Sequence, residues 1–204
     1  MLTIYNEKEE KYQLVEEPDA SQTYTYADYL EWKFTERVEL IRGRVFKTKS
    51  VDALVQRAYV RIVTQLYTGL SNTNAKVFHA PFDVRLPVHN FLANSDITSV
   101  VQPDICAICN ASIVDGRGCY GVPDLVMDIL SPGDTIQEVL PKIELYQDAG
   151  LPEYWVVNPS EKSVTVFQLN AEGQFNQAKQ YAGKDLVRSA AVQGFIILVS
   201  DIFK

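Results

Sequence analysis

Two acidic residues lie within the most apolar segments of the chain, and this feature limits the possible folds more than any other. Asp104 lies in VVQPDICAIC and Asp128 lies in PDLVMDILSP, and both segments are apolar enough to be central β-strands. An ionised carboxylate is costly to bury without a partner, so acids in such places usually meet a cation or another unusual electrostatic environment. Asp104 and Asp128 are therefore the first candidate functional residues.

Strand parity predicts that these two acids converge. Side chains alternate faces along a strand, so Asp128 shares a face with Asp124, and Asp104 shares a face with Cys106. If the two strands are neighbours, the carboxylates repel each other unless a divalent cation lies between them. Oxygen ligands of this kind favour Mg²⁺ or Mn²⁺. Asp124 has a simpler interpretation, in which it accepts a hydrogen bond from a backbone amide where its strand begins.

The rest of the chain predicts helices and further strands. A short helix is expected after a Thr25 cap, and two strands are expected around a turn at Gly43. The clearest helix runs from about Asp52 to Leu70, with Gln56, Arg57 and Arg61 lying off its apolar stripe. That stripe is typical of core packing; it contains Leu54, Val55, Ala58, Tyr59, Ile62, Val63, Leu66, Tyr67 and Leu70.

A second helix is predicted between Pro141, which is favoured in the first turn of a helix, and Gly150, which is favoured after its end. Lys142 then lies in the first turn. Asp134 and Gln137 resemble a capping box just upstream. The remainder predicts antiparallel strands, followed by the apolar segment VQGFIILVSDIF, which is expected to pack on the core.

Another strand is predicted from FDVRLP. Its alternation places Phe82, Val84 and Leu86 inward and Asp83 and Arg85 outward.

Composition limits the class of protein. The length of 204 residues fits one domain, expected over 23–204, after an acidic extension over 1–22. No apolar run reaches the roughly 18 residues that a transmembrane helix needs, and the acidic start does not resemble a signal peptide, so a cytoplasmic protein without membrane contact is expected. The net charge of −7 is unusual for a nucleic-acid-binding protein.

The three cysteines do not indicate a disulfide framework. Cys106 and Cys109 have the spacing of a zinc knuckle, but on a strand they point to opposite faces, and no second pair completes four ligands. Buried structural thiols are favoured over a zinc site.

Taken together, the motifs resemble the Uma family of restriction-endonuclease-like proteins, a branch of the PD-(D/E)XK nuclease superfamily. They are YTYADYLEW, ERVELIRGRVF, HAPFDVRLP, VVQPDICAIC, GVPDLVMDILSPGD and KIELYQDAGLPEYWVVNP, which extend over about Thr23 to Phe203. The resemblance implies an α/β fold with a central mixed β-sheet flanked by helices and antiparallel C-terminal strands. In the wider superfamily a lysine follows the second acid by two residues. Here that position is Leu130, and in this family the lysine has moved to the following helix.

The resemblance implies a role for each matching residue. Asp104 and Asp128 match the two metal-binding acids, although relatives usually have Glu at the second position, and Lys142 matches the catalytic lysine. Glu39 matches an early acid that serves as an outer metal ligand or supporting group, and Gln56 matches a polar supporting residue near the site. Asp124 is a further supporting candidate. The residue before Gln56 is usually His in relatives, whereas this chain has Val55.

The implied activity is Mg²⁺- or Mn²⁺-dependent hydrolysis of DNA phosphodiester bonds, with Lys142 stabilising charge on the scissile phosphate. A homodimer is also implied, because relatives often pair to cut both strands. The alternative is a catalytically degenerate module that binds nucleic acid or a protein partner, and a nuclease acting on RNA or a small phosphodiester is a third possibility. DNA contacts are hypothesised at Lys47, Lys49, Arg57 and Arg61, against the simpler interpretation of a solvated surface.

Simpler interpretations remain open for the other candidates. Asp104 could form a purely structural ion pair with Lys142, and Glu39 could be an ordinary acid on a strand surface. His79 is interpreted as a core or loop histidine.

Overall fold

The computed structural model describes residues 2–6, 11–15, 21–32, 36–47, 52–86 and 93–204, and the first two segments by their backbone alone. The strands in these residues are β1 (Leu2–Asn6), β2 (Lys11–Val15), β3 (Val38–Ile41), β4 (Arg44–Lys47), β5 (Lys76–His79), β6 (Asp83–Arg85), β7 (Val100–Val101), β8 (Ile105–Ile108), β9 (Val114–Asp115), β10 (Gly118–Tyr120), β11 (Leu125–Ile129), β12 (Glu153–Asn158), β13 (Ser163–Gln168), β14 (Lys179–Ala182), β15 (Leu186–Arg188) and β16 (Ile196–Leu198). The α-helices are α1 (Tyr26–Glu31), α2 (Ala53–Gly69), α3 (Leu140–Ala149) and α4 (Val199–Ile202).

The central sheet is mixed, as the resemblance implies. Its strand order is β14-β13-β12-β11-β8-β5, with β11 and β12 parallel and every other pair antiparallel. The parallel pair is joined by α3, because parallel neighbours need a crossover connection. A second six-stranded sheet has the order β4-β3-β7-β6-β10-β9. Strands β1 and β2 pair as a separate hairpin within the N-terminal extension, as do β15 and β16 near the C-terminus.

The two faces of the central sheet bury different sets of side chains. On β11, Leu125 and Met127 pack with α2 and α4, whereas Val126 packs with α3 and part of the second sheet, as does Leu130 just after the strand. Neighbouring strands keep this alternation, because Trp155 of β12 lies in the first cluster and Tyr154 in the second. Asp128 therefore projects from the face that α3 covers.

The structure confirms the predicted position of helix α2, but the buried face of the helix is narrower than the predicted apolar stripe. Its Asp52 cap accepts a hydrogen bond from the Val55 amide at 2.9 Å. The sheet covers a narrow face that includes Val55, whereas Leu54 is 49% exposed and Tyr67 is 76% exposed. At 100° per residue these two side chains lie on opposite flanks of the buried stripe, beyond the reach of the sheet.

The predicted outward orientation of Arg85 is wrong. Arg85 is only 6% exposed, and it donates to the Cys119 carbonyl and to the Asp115 carboxylate at 2.6 Å. Its guanidinium also lies over the ring of Tyr26 from α1. Alternation correctly predicted that Arg85 and Val84 point to opposite faces of β6. It could not show that α1 covers the face on which Arg85 lies, so that this face is buried as well.

The segment VVQPDICAIC does not form one strand. Val100–Val101 belongs to the second sheet, and Ile105–Ile108 belongs to the central sheet. Pro103 lies between them and has no backbone N–H to continue a ladder. The chain therefore passes from one sheet to the other just before Asp104.

Helix α3 confirms the predicted start near Pro141, and Gly150 ends it with a left-handed φ of 79°. The capping box lies one residue later than predicted, between Thr135 and Glu138, at the start of a 3₁₀ turn. The predicted docking of the C-terminal segment is confirmed by the burial of Val192, Phe195 and Ile202. Among the described residues, no helix combines the length and apolar character needed to cross a bilayer.

Candidate active site

Asp104 and Asp128 meet at the junction between β8 and β11. These strands are antiparallel neighbours, with Val126 opposite Cys106 and Met127 opposite Ile105, and continuing the register places Asp128 opposite Asp104. Each carboxylate accepts a hydrogen bond from the other's segment: the Asp104 amide donates to Asp128 Oδ1 at 3.3 Å, and the Ile129 amide donates to Asp104 Oδ2 at 2.8 Å. The structure therefore brings the two acids together, as strand parity predicts.

Lys142 reaches the same site from the first turn of α3. Its Nζ lies 3.2 Å from Asp128 Oδ2 and 2.9 Å from Glu39 Oε1. Glu39, on β3, also accepts a hydrogen bond from the Gln102 amide at 2.7 Å and is only 3% exposed. Glu39 is therefore not an ordinary acid on a strand surface, and its described contacts make it a partner of the lysine.

Arg37 and Tyr154 complete the contacts of the two aspartates. Arg37 Nη2 lies 3.3 Å from Asp104 Oδ1, and the Tyr154 hydroxyl donates to Asp128 Oδ2 at 2.9 Å. The structural ion pair considered for Asp104 is thus made with Arg37, while Lys142 pairs with Asp128 and Glu39. Sequence reasoning missed both residues. Parity could have indicated Tyr154, which lies on the Asp128 face of β12, but no local pattern singled out Arg37.

The site contains more acidic than basic side chains. Burial raises the pKa of Asp104, and repulsion from Asp128 raises it further, although the Ile129 amide, Lys142 and Arg37 oppose this shift. Burial likewise raises the pKa of Glu39 despite its contact with Lys142. Burial disfavours the Lys142 ammonium, but Asp128 and Glu39 outweigh it and raise the pKa of the lysine above its ordinary value. Lys142 is therefore charged at neutral pH.

An open cleft of about 170 Å³ exposes this cluster. Typical small-molecule pockets are larger, at about 300–1,000 Å³. The charged residues in its wall are Arg37, Glu39, Lys47, Asp104, Asp128, Asp134, Glu138 and Lys142, of which five are acidic and three basic. A small, acidic cleft suits an ion and a phosphate group better than an organic cofactor.

The donor set fits Mg²⁺ or Mn²⁺ held by two carboxylates. Asp104 and Asp128 supply adjacent oxygens, and burial together with repulsion from Asp128 raises the pKa of Asp104. In the described part of the chain, no group of three or more His, Cys, Asp or Glu side chains is arranged to hold one metal ion, and a role of Glu39 as a metal ligand stays a prediction. Mg²⁺ commonly uses only one or two carboxylates, together with water and substrate phosphate.

The other candidate residues lie further from this cluster. Gln56 is exposed on α2, while its neighbour Val55 lines the cleft. Asp124 accepts a hydrogen bond from the Cys109 amide at 2.6 Å, as its simpler interpretation predicts. His79 ends strand β5 with an exposed side chain whose Nδ1 lies 2.8 Å from the Ala80 carbonyl, so it is neither a core nor a loop histidine.

The structure describes three of the four residues hypothesised to contact DNA. Lys47 lines the cleft, and Lys49 lies outside the described residues. Arg57 donates to the carbonyl of Lys204, and Arg61 donates to the carbonyl of Asp201. Both arginines thus help to hold the C-terminal segment against α2, and a role in DNA binding stays a prediction.

The expectation of buried thiols is confirmed for Cys106 and is wrong for Cys109, which is exposed. Cys119 is also a buried free thiol, and burial raises its pKa to about 12. The opposite environments of Cys106 and Cys109 agree with the alternation of side chains along a strand.

The mixed sheet, the crossover helix and the paired acids at a strand junction define a nuclease-like α/β fold. The chain belongs to the Uma2 family, whose description is "Putative restriction endonuclease" and whose family model matches residues 26–200. The structure is similar to the crystal structure of a protein from Anabaena variabilis ATCC 29413 described as "a putative nuclease belonging to DUF820". The TM-score is 0.68 at 17% identity, over 88% of this chain and 97% of the other. No curated protein matches the chain.

Proposed function

We propose that this protein is a metal-dependent endonuclease that hydrolyses DNA phosphodiester bonds. The observation that carries the proposal is the meeting of Asp104, Asp128 and the buried Lys142 in one open cleft. Acids brought together at such cost, beside a charged lysine, are typical of functional sites. Membership of the Uma2 family supports the same class of reaction.

Asp104 and Asp128 would hold Mg²⁺ or Mn²⁺, because they supply adjacent carboxylate oxygens at the edge of the cleft. When bound, such an ion would polarise the scissile phosphate and lower the pKa of an attacking water. Asp is one carbon shorter than the Glu usual at the second position, so Asp128 depends on the backbone of β11 to reach the site. Its contact with the Asp104 amide is compatible with that reach.

Each neighbouring side chain has a distinct role in this proposal. Lys142 presents a positive charge where negative charge develops on the phosphate in the transition state. Glu39 orients the ammonium and keeps it protonated through their 2.9 Å contact. The Tyr154 hydroxyl fixes one oxygen of Asp128 and leaves its carboxylate a single orientation. Arg37, whose side chain is 28% exposed, lies where a backbone phosphate would enter.

Cleavage of supercoiled plasmid with Mn²⁺ tests the proposal. The wild type should nick the plasmid, and both Asp104→Asn and Asp128→Asn should reduce the rate at least about a hundredfold. Asp148→Asn is the matched control, because Asp148 is a 54% exposed acid on α3 that pairs with Arg42 outside the cleft. Equal cutting by all four proteins would identify a contaminating nuclease and remove the catalytic assignment.

A second candidate is a non-catalytic member of the family that binds nucleic acid or a protein partner. It is favoured by one observation: both carboxylates already have protein donors, from Arg37, Lys142, Tyr154 and backbone amides. Calorimetric titration with Mn²⁺ separates the two candidates. Saturable binding that is lost in Asp104→Asn supports the nuclease. Tight DNA binding that persists in Asp104→Asn, without metal binding or cleavage, supports the second candidate.

A further inference from the structure

A second cavity of about 420 Å³ lies beside the catalytic cleft, and the two share Arg37 as a common wall. The cavity is lined by Tyr29, Trp32, Glu36, Arg37, Val38, Ala80, Pro81 and Gln102. Its volume is in the range of pockets that bind small organic groups, unlike that of the cleft. Val38 directly precedes Glu39, and Gln102 lies two residues before Asp104. A group in this cavity would therefore lie next to a phosphate bound in the cleft.

Aromatic side chains and a proline form much of the cavity wall. The Tyr29 and Trp32 rings lie 6.0 Å apart at 57°, and Trp32 also contacts Tyr24 edge-on. Trp32 is partly exposed rather than buried in the core. Aromatic rings and the planar guanidinium of arginine are the surfaces on which single-stranded nucleic acids stack their bases.

Gln102 holds the Tyr29 side chain in this wall. Its Nε2 donates to Asp83 Oδ1 and to the Tyr29 hydroxyl, both at 2.8 Å, and the carboxylate fixes which end of the amide carries the nitrogen. The opposite atom, Oε1, is buried, so it presents no accessible surface to the cavity. Gln102 therefore positions the Tyr29 ring rather than contacting a ligand.

We propose that this cavity binds one unstacked nucleobase of the substrate, next to the phosphate in the catalytic cleft. The proposal rests on the nuclease function, because it takes its ligand from that reaction. A nucleobase matches the wall in two respects: it has a flat face for Trp32 and Tyr29, and its attached phosphate can reach Arg37. Bases inside a regular duplex are stacked and cannot enter, so the substrate has an unpaired nucleotide at this position.

Binding of single-stranded oligonucleotides in Ca²⁺ buffer tests the site without any cleavage. Two oligonucleotides of equal length are compared by fluorescence anisotropy, one with normal bases and one with abasic sugars and the same phosphates. The wild type should bind the normal strand about tenfold more tightly, which is a typical effect of stacking one base. Trp32→Ala should abolish that preference. Trp32→Phe should keep most of it, because a ring for stacking remains.

Tryptophan fluorescence gives an independent measurement. The chain has two tryptophans, and Trp155 is fully buried, so quenching by a stacked base reports on Trp32. Tyr67→Ala is the matched control, because it removes a 76% exposed ring from α2 outside the cavity. Circular dichroism melting verifies that each variant is folded.

The results distinguish this proposal from the nuclease function. Equal affinity of the wild type for normal and abasic strands overturns the base site, even if plasmid is cleaved. A preference that survives Trp32→Ala in a folded protein also overturns it. Base-dependent quenching in a protein that cleaves no DNA supports the base site and removes the catalytic assignment instead.

Discussion

Two sites in the molecule bury acidic side chains, and the electrostatic cost of burial is offset differently in each. Glu153, at the start of β12, is fully buried and accepts hydrogen bonds from the Trp155 indole, the Ser189 hydroxyl and the amides of Ala190 and Ala191. All of these donors are neutral. In the catalytic cleft, Asp104, Asp128 and Glu39 lie close together, and two cationic side chains, Lys142 and Arg37, contact them.

The difference distinguishes a carboxylate with a structural role from carboxylates proposed to bind a ligand. Glu153 has donors on both oxygens and ties the C-terminal segment to the sheet, so its burial serves stability. The cleft acids repel one another and line a cavity, which in the proposed function would receive a positively charged ligand. We therefore expect substitutions at Glu153 to change stability alone, and substitutions in the cleft to change stability and ligand binding separately.

The largest effect is expected from Lys142→Met. Removing the ammonium leaves Glu39 and Asp128 buried without their shared cation, which typically costs about 3–5 kcal/mol of unfolding free energy. Urea denaturation measures the loss, and cleavage should disappear as well. Lys184→Met, at an exposed position, is the control and should leave both unchanged. An unaltered urea midpoint in Lys142→Met would mean that the acids are not charged in the folded protein.

Glu153→Ala should have the next largest effect. The indole, the hydroxyl and two amides lose their acceptor, which is expected to cost about 2–3 kcal/mol. Cleavage per folded molecule should stay at the wild-type rate, because this carboxylate does not face the cleft. Glu172→Ala, in an exposed turn, serves as the control. Loss of cleavage in a fully folded Glu153→Ala protein would contradict the separation between the two sites.

The convergence of the two aspartates could be predicted from the sequence because the features that produce it are local. An acid within an apolar strand is visible in the sequence, and alternation along a strand determines its face. The position of Lys142 came from the family resemblance together with the helix limits at Pro141 and Gly150. Asp104 and Asp128 thus follow from physical reasoning, whereas the role of the lysine does not.

The missed features depend on which elements pack against each other. Arg85 is buried because α1 covers the outer face of its strand, and Tyr154 reaches Asp128 because β12 lies beside β11. Local sequence patterns encode neither the packing of α1 against β6 nor the position of β12 beside β11. Pro103 was the one local signal available for the division of VVQPDICAIC between two sheets, because proline cannot continue a ladder.

Tyr154→Phe gives a smaller and more selective test of the cleft. Loss of the hydroxyl donor to Asp128 should reduce Mn²⁺ affinity about ten- to a hundredfold, as for other groups that orient a metal ligand, while unfolding free energy falls by only about 1 kcal/mol. Calorimetric titration measures the affinity. Tyr146→Phe is a matched control, because the adjacent Tyr146 hydroxyl is buried with no hydrogen-bond partner among the described residues. Equal Mn²⁺ affinity in both variants would show that Tyr154 does not position Asp128.

The smallest change in stability is expected from Asp104→Asn, and it has the opposite sign. Because burial and Asp128 raise the pKa of Asp104 in the folded protein, the folded state binds a proton more tightly than the unfolded state. Stability contributed by this group therefore falls as pH rises from the ordinary value of 3.8 through the raised pKa. Asparagine does not titrate, so the variant should melt at a higher temperature than the wild type at pH 7–8.

Melting curves between pH 4 and 8 provide the comparison for Asp104→Asn. The gain over the wild type should shrink toward pH 4, where Asp104 becomes protonated. Asp148→Asn, at a 54% exposed position outside the cleft, is the matched control. A variant that is more stable but inactive would show that the aspartate is kept for a ligand at the expense of stability. A lower melting temperature at pH 8 would instead make the Arg37 ion pair the dominant interaction, and Asp104 would then resemble Glu153 more than a metal ligand.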